Sequence, residues 1–218
     1  MKKMMILIFS LMFTILTWPI DASASVPLIL LDPGHGGIDG GTGRGHLLEK
    51  NLNLDISRKT GEWLKKNGLE VKMTRDSDQD LSTRYPSTLQ SRHKRDLQNR
   101  LTMIRKENPA LFISIHVNSS TQVGDKGPLV FYAIESAPSK ELATLVQAAM
   151  NQVAGSTQRP VGRENLFLIR HAPCPAVLVE TGFVTNRVDA VRLADAVYRD
   201  RIAGAIAEAT KRYLQISP

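Results

Sequence analysis

Two histidines and two glutamates stand where the sequence could build a hydrolytic metal site. His35 and His116 lie at the ends of apolar runs, Glu180 closes a third such run, and Glu49 lies between the two histidines along the chain. Two imidazoles and one carboxylate are a usual ligand set of catalytic zinc, which keeps a fourth position open for water. A further carboxylate suits the general base that such a site requires. The four residues therefore predict a hydrolase with Zn2+ as its cofactor.

The segments that carry these residues alternate apolar runs with stretches of helical periodicity, which predicts α/β architecture. We expect a single domain with a twisted, mostly parallel or mixed sheet of about six strands flanked by helices. The expected strands are 28–31, 70–74, 111–116, 129–134, 166–169 and 176–179, and the expected helices are 50–67, 90–107, 139–153 and 195–214. Ligands in open α/β sheets gather at the carboxyl ends of strands, and His35, His116 and Glu180 all fall at such ends.

Residues 1–24 have the composition of a secretory signal peptide. Lys2 and Lys3 give a positive start, residues 4–20 are mostly apolar, and Ala22-Ser23-Ala24 has the pattern of a cleavage site. The apolar run is short and contains hydroxyl residues, so a retained membrane anchor is the less favoured alternative. The sequence predicts an exported protein with a catalytic domain over 25–218, attached to the membrane only if the signal stays uncleaved.

Charge and cysteine content narrow the class of partner. The chain has 28 Lys and Arg against 21 Asp and Glu, a formal net charge of +7, which suits an anionic partner such as a cell wall or a membrane surface. No aromatic residues interleave with the basic ones, so a nucleic-acid partner is not expected. The single cysteine, Cys174, excludes an internal disulfide and is expected to be a small buried residue.

Four motifs in order along the chain resemble those of the zinc-dependent N-acetylmuramoyl-L-alanine amidases of the Amidase_3 type. They are Asp32-Pro-Gly-His-Gly-Gly, Glu49-Lys50, Ser114-Ile-His-Val-Asn and Leu178-Val-Glu-Thr-Gly-Phe. The resemblance spans about residues 27–214. It implies zinc ligation by His35, Glu49 and His116, catalysis by Glu180, and cleavage of the amide between N-acetylmuramic acid and L-alanine in peptidoglycan.

Other polar residues near the motifs are candidates for supporting roles. Asn118 and His171 are expected to contact substrate, and Asp32 to orient His35 from behind. His46 does not match the ligand motif and is expected in an exposed loop. The charged segment 76–100 is either a solvated face or a docking surface for substrate or partner.

Within the family, the run from Ser91 to Arg100 resembles a segment of the spore-cortex amidases. That resemblance implies peptide removal from cortex peptidoglycan, which leads to muramic δ-lactam and supports germination, in the cell wall, extracytoplasmic space or spore intermembrane space. It also leaves room for an activator or partner protein. The alternatives are a general wall amidase for cell separation or turnover, a peptidase that cuts within the stem peptide, and a non-catalytic peptidoglycan-binding module. No His-Glu-x-x-His pair supports the peptidase.

Overall fold

The computed structural model describes residues 26–122 and 124–215, so the expected signal peptide at 1–24 lies outside the described residues. Eight strands form a mixed sheet and a small separate hairpin. They are β1 (Leu28–Pro33), β2 (Gly43–Arg44), β3 (Leu47–Leu48), β4 (Glu70–Met73), β5 (Leu111–Asn118), β6 (Leu129–Ala133), β7 (Val161–Arg163) and β8 (Ala176–Phe183). The described helices are α1 (Glu49–Lys66), α2 (Arg92–Glu107), α3 (Ala137–Ala154), α4 (Phe167–His171), α5 (Arg187–Ala194) and α6 (Ala196–Tyr213).

The large sheet has six strands in the order β4-β1-β5-β8-β6-β7. The first four run parallel, β6 is antiparallel to β8, and β7 is parallel to β6. We call the end of the sheet with Pro33, Asn118 and Phe183 the upper rim, and the end with Leu28 and Ala176 the lower rim. The functional motifs of β1, β5 and β8 all meet at the upper rim.

Alternation along the strands divides the core into two layers. On one face, residues such as Ile113 and Val179 pack against α1, α3 and α6. On the other, Phe112 and Ala176 pack against α2 and α4. Since strand residues two apart share a face, His116 and Glu180 belong to the face of Phe112 and Ala176. They therefore project beside α2, near the upper rim.

Local signals fix where the helices begin and end. Ser91, Ser136, Asn186 and Asp195 accept backbone N–H bonds at the starts of α2, α3, α5 and α6. Gly155 ends α3 in the left-handed conformation that glycine adopts without strain. Among the described residues, no helix combines the length and apolar character that a membrane crossing requires.

The expectation of one α/β domain with a six-stranded sheet is confirmed, and one expected strand is wrong. The run at 166–169 falls in the short helix α4, where Leu168 and Ile169 bury their side chains against the sheet. Short apolar runs of this length fit a buried strand or a buried helix equally well. The missing sixth strand is β7, only three residues long and without an apolar run.

Candidate metal centre

The upper rim brings together three of the residues expected to act in chemistry. His35 follows β1 by two residues, Glu49 begins α1, and His116 lies two residues before the end of β5. His35 Nε2 lies 3.1 Å from Glu49 Oε1, and His116 Nδ1 lies 2.9 Å from the same oxygen. One potential ligand atom from each residue lies within 4.8 Å of the other two. The three side chains thus converge on one point from three separate elements.

Two glycines make room for this convergence. A Cβ on Gly34 would lie 2.2 Å from the ring of His116, and one on Gly41 would lie 2.4 Å from Glu49 Oε2 and 2.8 Å from the ring of His35. Distances below 3.0 Å do not occur for real Cβ atoms. The backbone must therefore lack side chains at both positions for the imidazoles and the carboxylate to meet.

The backbone of His35 is in the left-handed region, with φ 60°, which is uncommon for a residue with a side chain. A tight turn holds it there, with paired hydrogen bonds of 2.9 and 3.1 Å between Gly36 and Asp39. The Asp39 carboxylate returns to the imidazole, with Oδ2 3.1 Å from His35 Nδ1. A carboxylate on the rear nitrogen fixes the tautomer and direction of a metal-binding histidine.

The electrostatics of the cluster favour positive charge at its centre. Burial would lower the pKa of His35, but hydrogen bonds and charges of Glu49 and Asp39 outweigh it and raise this pKa to about 9. Burial would raise the pKa of Glu49, yet bonds and charges of His116 and His35 hold it well below its usual range. An ionised carboxylate between two imidazoles stabilises a cation, whether a proton or a metal ion.

Glu180 stands next to this cluster in a different environment. It pairs in register with His116 in the parallel strands β5 and β8, so both side chains point to the same face. Burial raises the pKa of Glu180 to about 7, because the nearby imidazoles offset it only in part and the charge of Glu49 adds to it. Its Oε2 is buried and has no hydrogen-bond partner among the described residues. This carboxyl can therefore exchange a proton near neutral pH.

Asp32, expected to orient His35, is connected to it only through Arg100. Its carboxylate accepts hydrogen bonds from Thr74 (2.6 Å), Ser114 (2.7 Å) and the guanidinium of Arg100. It has no direct bond to the imidazole of His35, which Asp39 contacts instead. Arg100 carries the connection onward, because its Nη2 donates to the backbone oxygen of His35 at 2.7 Å. Asp32 thus positions Arg100, which in turn binds the loop that carries His35.

Arg75 forms a second buried clamp on the same loop. Its guanidinium donates to the carbonyl oxygens of Pro33, Gly34, Lys50 and Ser77, each at 2.9 Å. Its side chain is only 2% exposed. The end of β1 and the start of α1 are therefore tied together through one side chain, which fixes the loop before His35 relative to the helix that carries Glu49.

The remaining sequence candidates have different surroundings. Asn118 ends β5 at the upper rim, lines a pocket of about 330 Å3 and accepts a 2.7 Å bond from the N–H of Ser119. His171 ends α4, which leads into the lower-rim start of β8, and its exposed ring packs 4.9 Å from Phe167. It does not join the cluster. His46 is exposed in the hairpin of β2 and β3, as expected.

Sequence reasoning missed three residues that build the centre: Asp39, Asn53 and Arg75. The helical spacing was available for Asn53, which lies four residues after Glu49 on α1 and donates to its Oε1 at 3.4 Å. For Asp39 the signal was the close-set glycine-rich turn around it. Arg75 had no local signal, since its partners come from distant parts of the chain.

The donor set fits zinc. A tetrahedral ion with bonds of ~2.0–2.1 Å holds its ligand atoms roughly 3.3–3.4 Å apart. The two contacts with Glu49 Oε1, at 3.1 and 2.9 Å, are close to that spacing. Two imidazoles with one carboxylate match catalytic zinc ligands, and the unpartnered oxygen of Glu180 supplies a polar group on the neighbouring strand.

Comparison with known proteins finds a matching family and similar proteins. The family described as N-acetylmuramoyl-L-alanine amidase, Amidase_3, matches residues 29–212. A germination-specific N-acetylmuramoyl-L-alanine amidase of Bacillus subtilis is 32% identical over 197 residues, covering 90% of this chain and 82% of the relative. The N-acetylmuramoyl-L-alanine amidase LytC of Bacillus subtilis is 34% identical over 85% of this chain, which spans only 35% of LytC.

A solved structure extends the similarity to the whole described fold. The CwlD amidase from Clostridioides difficile, determined in complex with the GerS lipoprotein, has a TM-score of 0.81 and 32% sequence identity. The match covers 88% of this chain and 100% of that one. The described fold therefore has a counterpart of known structure.

Proposed function

The chain belongs to the N-acetylmuramoyl-L-alanine amidase family, and from that premise we propose how its residues perform the reaction and where it takes place. His35, Glu49 and His116 hold one zinc ion, and Glu180 is the general base and acid. The observation that carries this proposal is the convergence of three ligand atoms within 4.8 Å, beside a buried carboxyl on the adjacent strand. The substrate is the amide between N-acetylmuramic acid and L-alanine in peptidoglycan.

A zinc ion held by His35, Glu49 and His116 would supply a Lewis acid for the scissile carbonyl and would make water acidic enough to react near neutral pH. The protein's own residues must then manage the protons. Glu180 accepts the proton of the attacking water and delivers it to the nitrogen of the departing alanine, since an amide nitrogen leaves poorly unless protonated. A carboxyl whose pKa burial raises to about 7 can do both near neutral pH.

Several hydrogen bonds restrain the loop that carries His35, which suits this role. Arg100 and Arg75 bind its carbonyl oxygens, and Asp39 fixes the imidazole. A ligand that is already aimed loses little freedom when the ion binds. These residues position His35 and do not contact the substrate.

We propose that the wall acted on is the spore cortex, with peptide removal leading to muramic δ-lactam. The similarity to the germination-specific amidase of Bacillus subtilis, which extends over 82% of that relative, supports this role. Export by the segment 1–24, and action outside the cytoplasmic membrane, belong to the same proposal. A protein partner is also part of the proposal, because the CwlD amidase was solved with the GerS lipoprotein.

The test is digestion of purified spore-cortex and vegetative peptidoglycan with the zinc-loaded protein, followed by mass spectrometry. Free stem peptides that begin with alanine are expected from wild type, and a loss of roughly 10²- to 10⁴-fold from Glu180→Ala. Shortened peptides instead would indicate a peptidase, and binding without any cleavage would indicate a peptidoglycan-binding module.

The two walls separate the two amidase roles. Faster release from cortex supports the spore role, whereas faster release from vegetative wall would favour turnover or cell separation. If one zinc per chain is bound and no wall is cut, the same digestion with a candidate partner protein added decides whether an activator is required.

A further inference from the structure

A pocket of about 330 Å3 opens near the upper rim, between the ends of β5 and β8 and the strands β6 and β7. Leu129, the first residue of β6, pairs with Glu180 across the antiparallel strands and forms part of its wall. Phe131, two residues further along β6, shares that face and also lines the pocket. The pocket therefore lies along β6, the strand that pairs with the one carrying Glu180.

Two cations line this pocket, and the described residues give neither an anionic partner. Lys126 and Arg163 are exposed and belong to its wall. Each ion pair found among residues 26–122 and 124–215 involves other side chains. The pocket's carboxylate, Asp125, accepts a hydrogen bond from Ser120 Oγ at 2.6 Å. The pocket is thus left with positive charge and donors that face solvent.

The geometry of Arg163 suits a flat anion. Its guanidinium lies 5.2 Å from the centre of the Phe131 ring, a distance at which arginine stacks on an aromatic face. The guanidinium carries a planar fork of N–H donors that matches the two oxygens of a carboxylate. An aromatic floor with a cationic edge binds a carboxylate better than it binds a neutral sugar.

We propose that this pocket is a subsite for a carboxylate of the stem peptide, on the residue that follows the released alanine. The inference rests on the proposed function and specifies which half of the substrate lies on the β6 side. The scissile amide joins a neutral glycan to a peptide with free carboxylates. Lys126 and Arg163 attract the carboxylates, so the peptide is the half that lies in this pocket. Phe131 lies about 6.6 Å along β6 from Leu129, which two peptide residues span at up to ~3.6 Å each.

The test uses two synthetic muramoyl dipeptides that differ in one group, a free acid or a primary amide on the residue after alanine. Wild type is expected to have a higher kcat/KM for the acid, by roughly 3- to 10-fold for each cation engaged. The double variant Lys126→Gln/Arg163→Gln should lose that preference through KM and keep its rate on the amide. Lys140→Gln, an exposed lysine near the lower rim at the start of α3, should retain the wild-type preference.

Arg163→Lys tests the fork itself, since it keeps the charge and should recover only part of the preference. Unchanged thermal unfolding of the variants would exclude a folding defect as the cause. Equal rates of wild type on acid and amide, or a preference that survives in the double variant, would overturn the subsite while leaving the amidase intact.

A binding measurement separates the two proposals. Calorimetric titration of wild type with alanyl-glutamate and with its amide needs no cleavage. If neither muramoyl peptide is cut but the acid binds more tightly and the double variant abolishes the difference, the proposed function fails and the subsite stands. If the acid and the amide bind equally, the subsite fails.

Discussion

Replacing Arg100 by methionine should remove a large part of the protein's stability. The guanidinium is 2% exposed and donates to Asp32, to Asp96 at 2.7 Å and to the carbonyl oxygens of Pro33 and His35. Breaking a buried ion pair by removing one partner costs about 3–5 kcal/mol, because the remaining charge stays buried and unpaired. A domain of this size is stable by about 5–15 kcal/mol, so the loss is a substantial fraction of the total.

Urea unfolding of the metal-free protein, followed by circular dichroism, measures this loss. Arg105→Met is the matched control, since Arg105 lies on the same helix, is exposed and undergoes the same change. It should alter the free energy of unfolding by no more than about 0.5 kcal/mol. A loss below about 1 kcal/mol for Arg100→Met would refute the assignment of Arg100 as the centre of a buried ionic network.

The pH dependence gives the same reasoning a second check. In the wild type, burial would raise the pKa of Asp32, but Arg100, Thr74 and Ser114 together hold it below the ordinary value. Its contribution to stability is therefore complete above the unfolded pKa of ~3.9 and is lost as the pH falls further. In Arg100→Met, burial dominates and raises the pKa of Asp32. Protonation of Asp32 at low pH then favours the folded state. The difference in free energy of unfolding between the wild type and Arg100→Met should therefore narrow from pH 6 to pH 3.

Three further substitutions test the metal centre. Gly34→Ala should abolish zinc binding in calorimetry, because its Cβ would lie 2.2 Å from the His116 ring. Gly40→Ala is the control and should bind zinc normally, since the space around Gly40 is open. Equal zinc binding by the two variants would contradict the packing argument. Asp39→Ala should weaken zinc affinity by about 10- to 100-fold, because the Asp39 carboxylate fixes Nδ1 of His35. An unchanged affinity would show that the turn alone is enough to orient His35. Glu180→Gln should reduce hydrolysis by about 10²- to 10⁴-fold without lowering the urea midpoint, because the buried oxygen has no partner to lose; a large destabilisation would assign it a structural role.

The main elements were predictable because their signals are local. The strands that begin at Leu28 and Leu111 are apolar runs bounded by turn residues, and the expected helix at 90–107 agrees closely with α2. The elements that were missed, β2, β3, β7 and α5, are short and carry little periodicity. Nothing in the chain near Val161 signals a strand, because β7 forms through its pairing with β6.

The meeting of the candidate ligands was predictable for a similar reason, whereas the residues that support them were not. His35 follows a strand, and His116 and Glu180 lie near the ends of theirs, so the sheet topology brings all three to one rim. Arg75 and Asp39 act through a turn and through carbonyl oxygens, whose positions exist only after the chain has folded. Residue types and spacing identify what could bind a metal, whereas the groups that aim those ligands depend on long-range packing.

The direction of β1 and α6 determines how the domain can be held. Leu28 lies at the lower rim, and α6 starts from the upper-rim side and runs for 18 residues, about 27 Å. Its end is near the lower rim too, where Lys211 Nζ lies 3.5 Å from Asn67 Oδ1 at the end of α1. A leader, tag or surface linkage joined near Leu28 or at the end of α6 therefore attaches to the domain at its lower rim. The rim that carries His35, Glu49 and His116 then faces away from the point of attachment, toward any polymer that approaches.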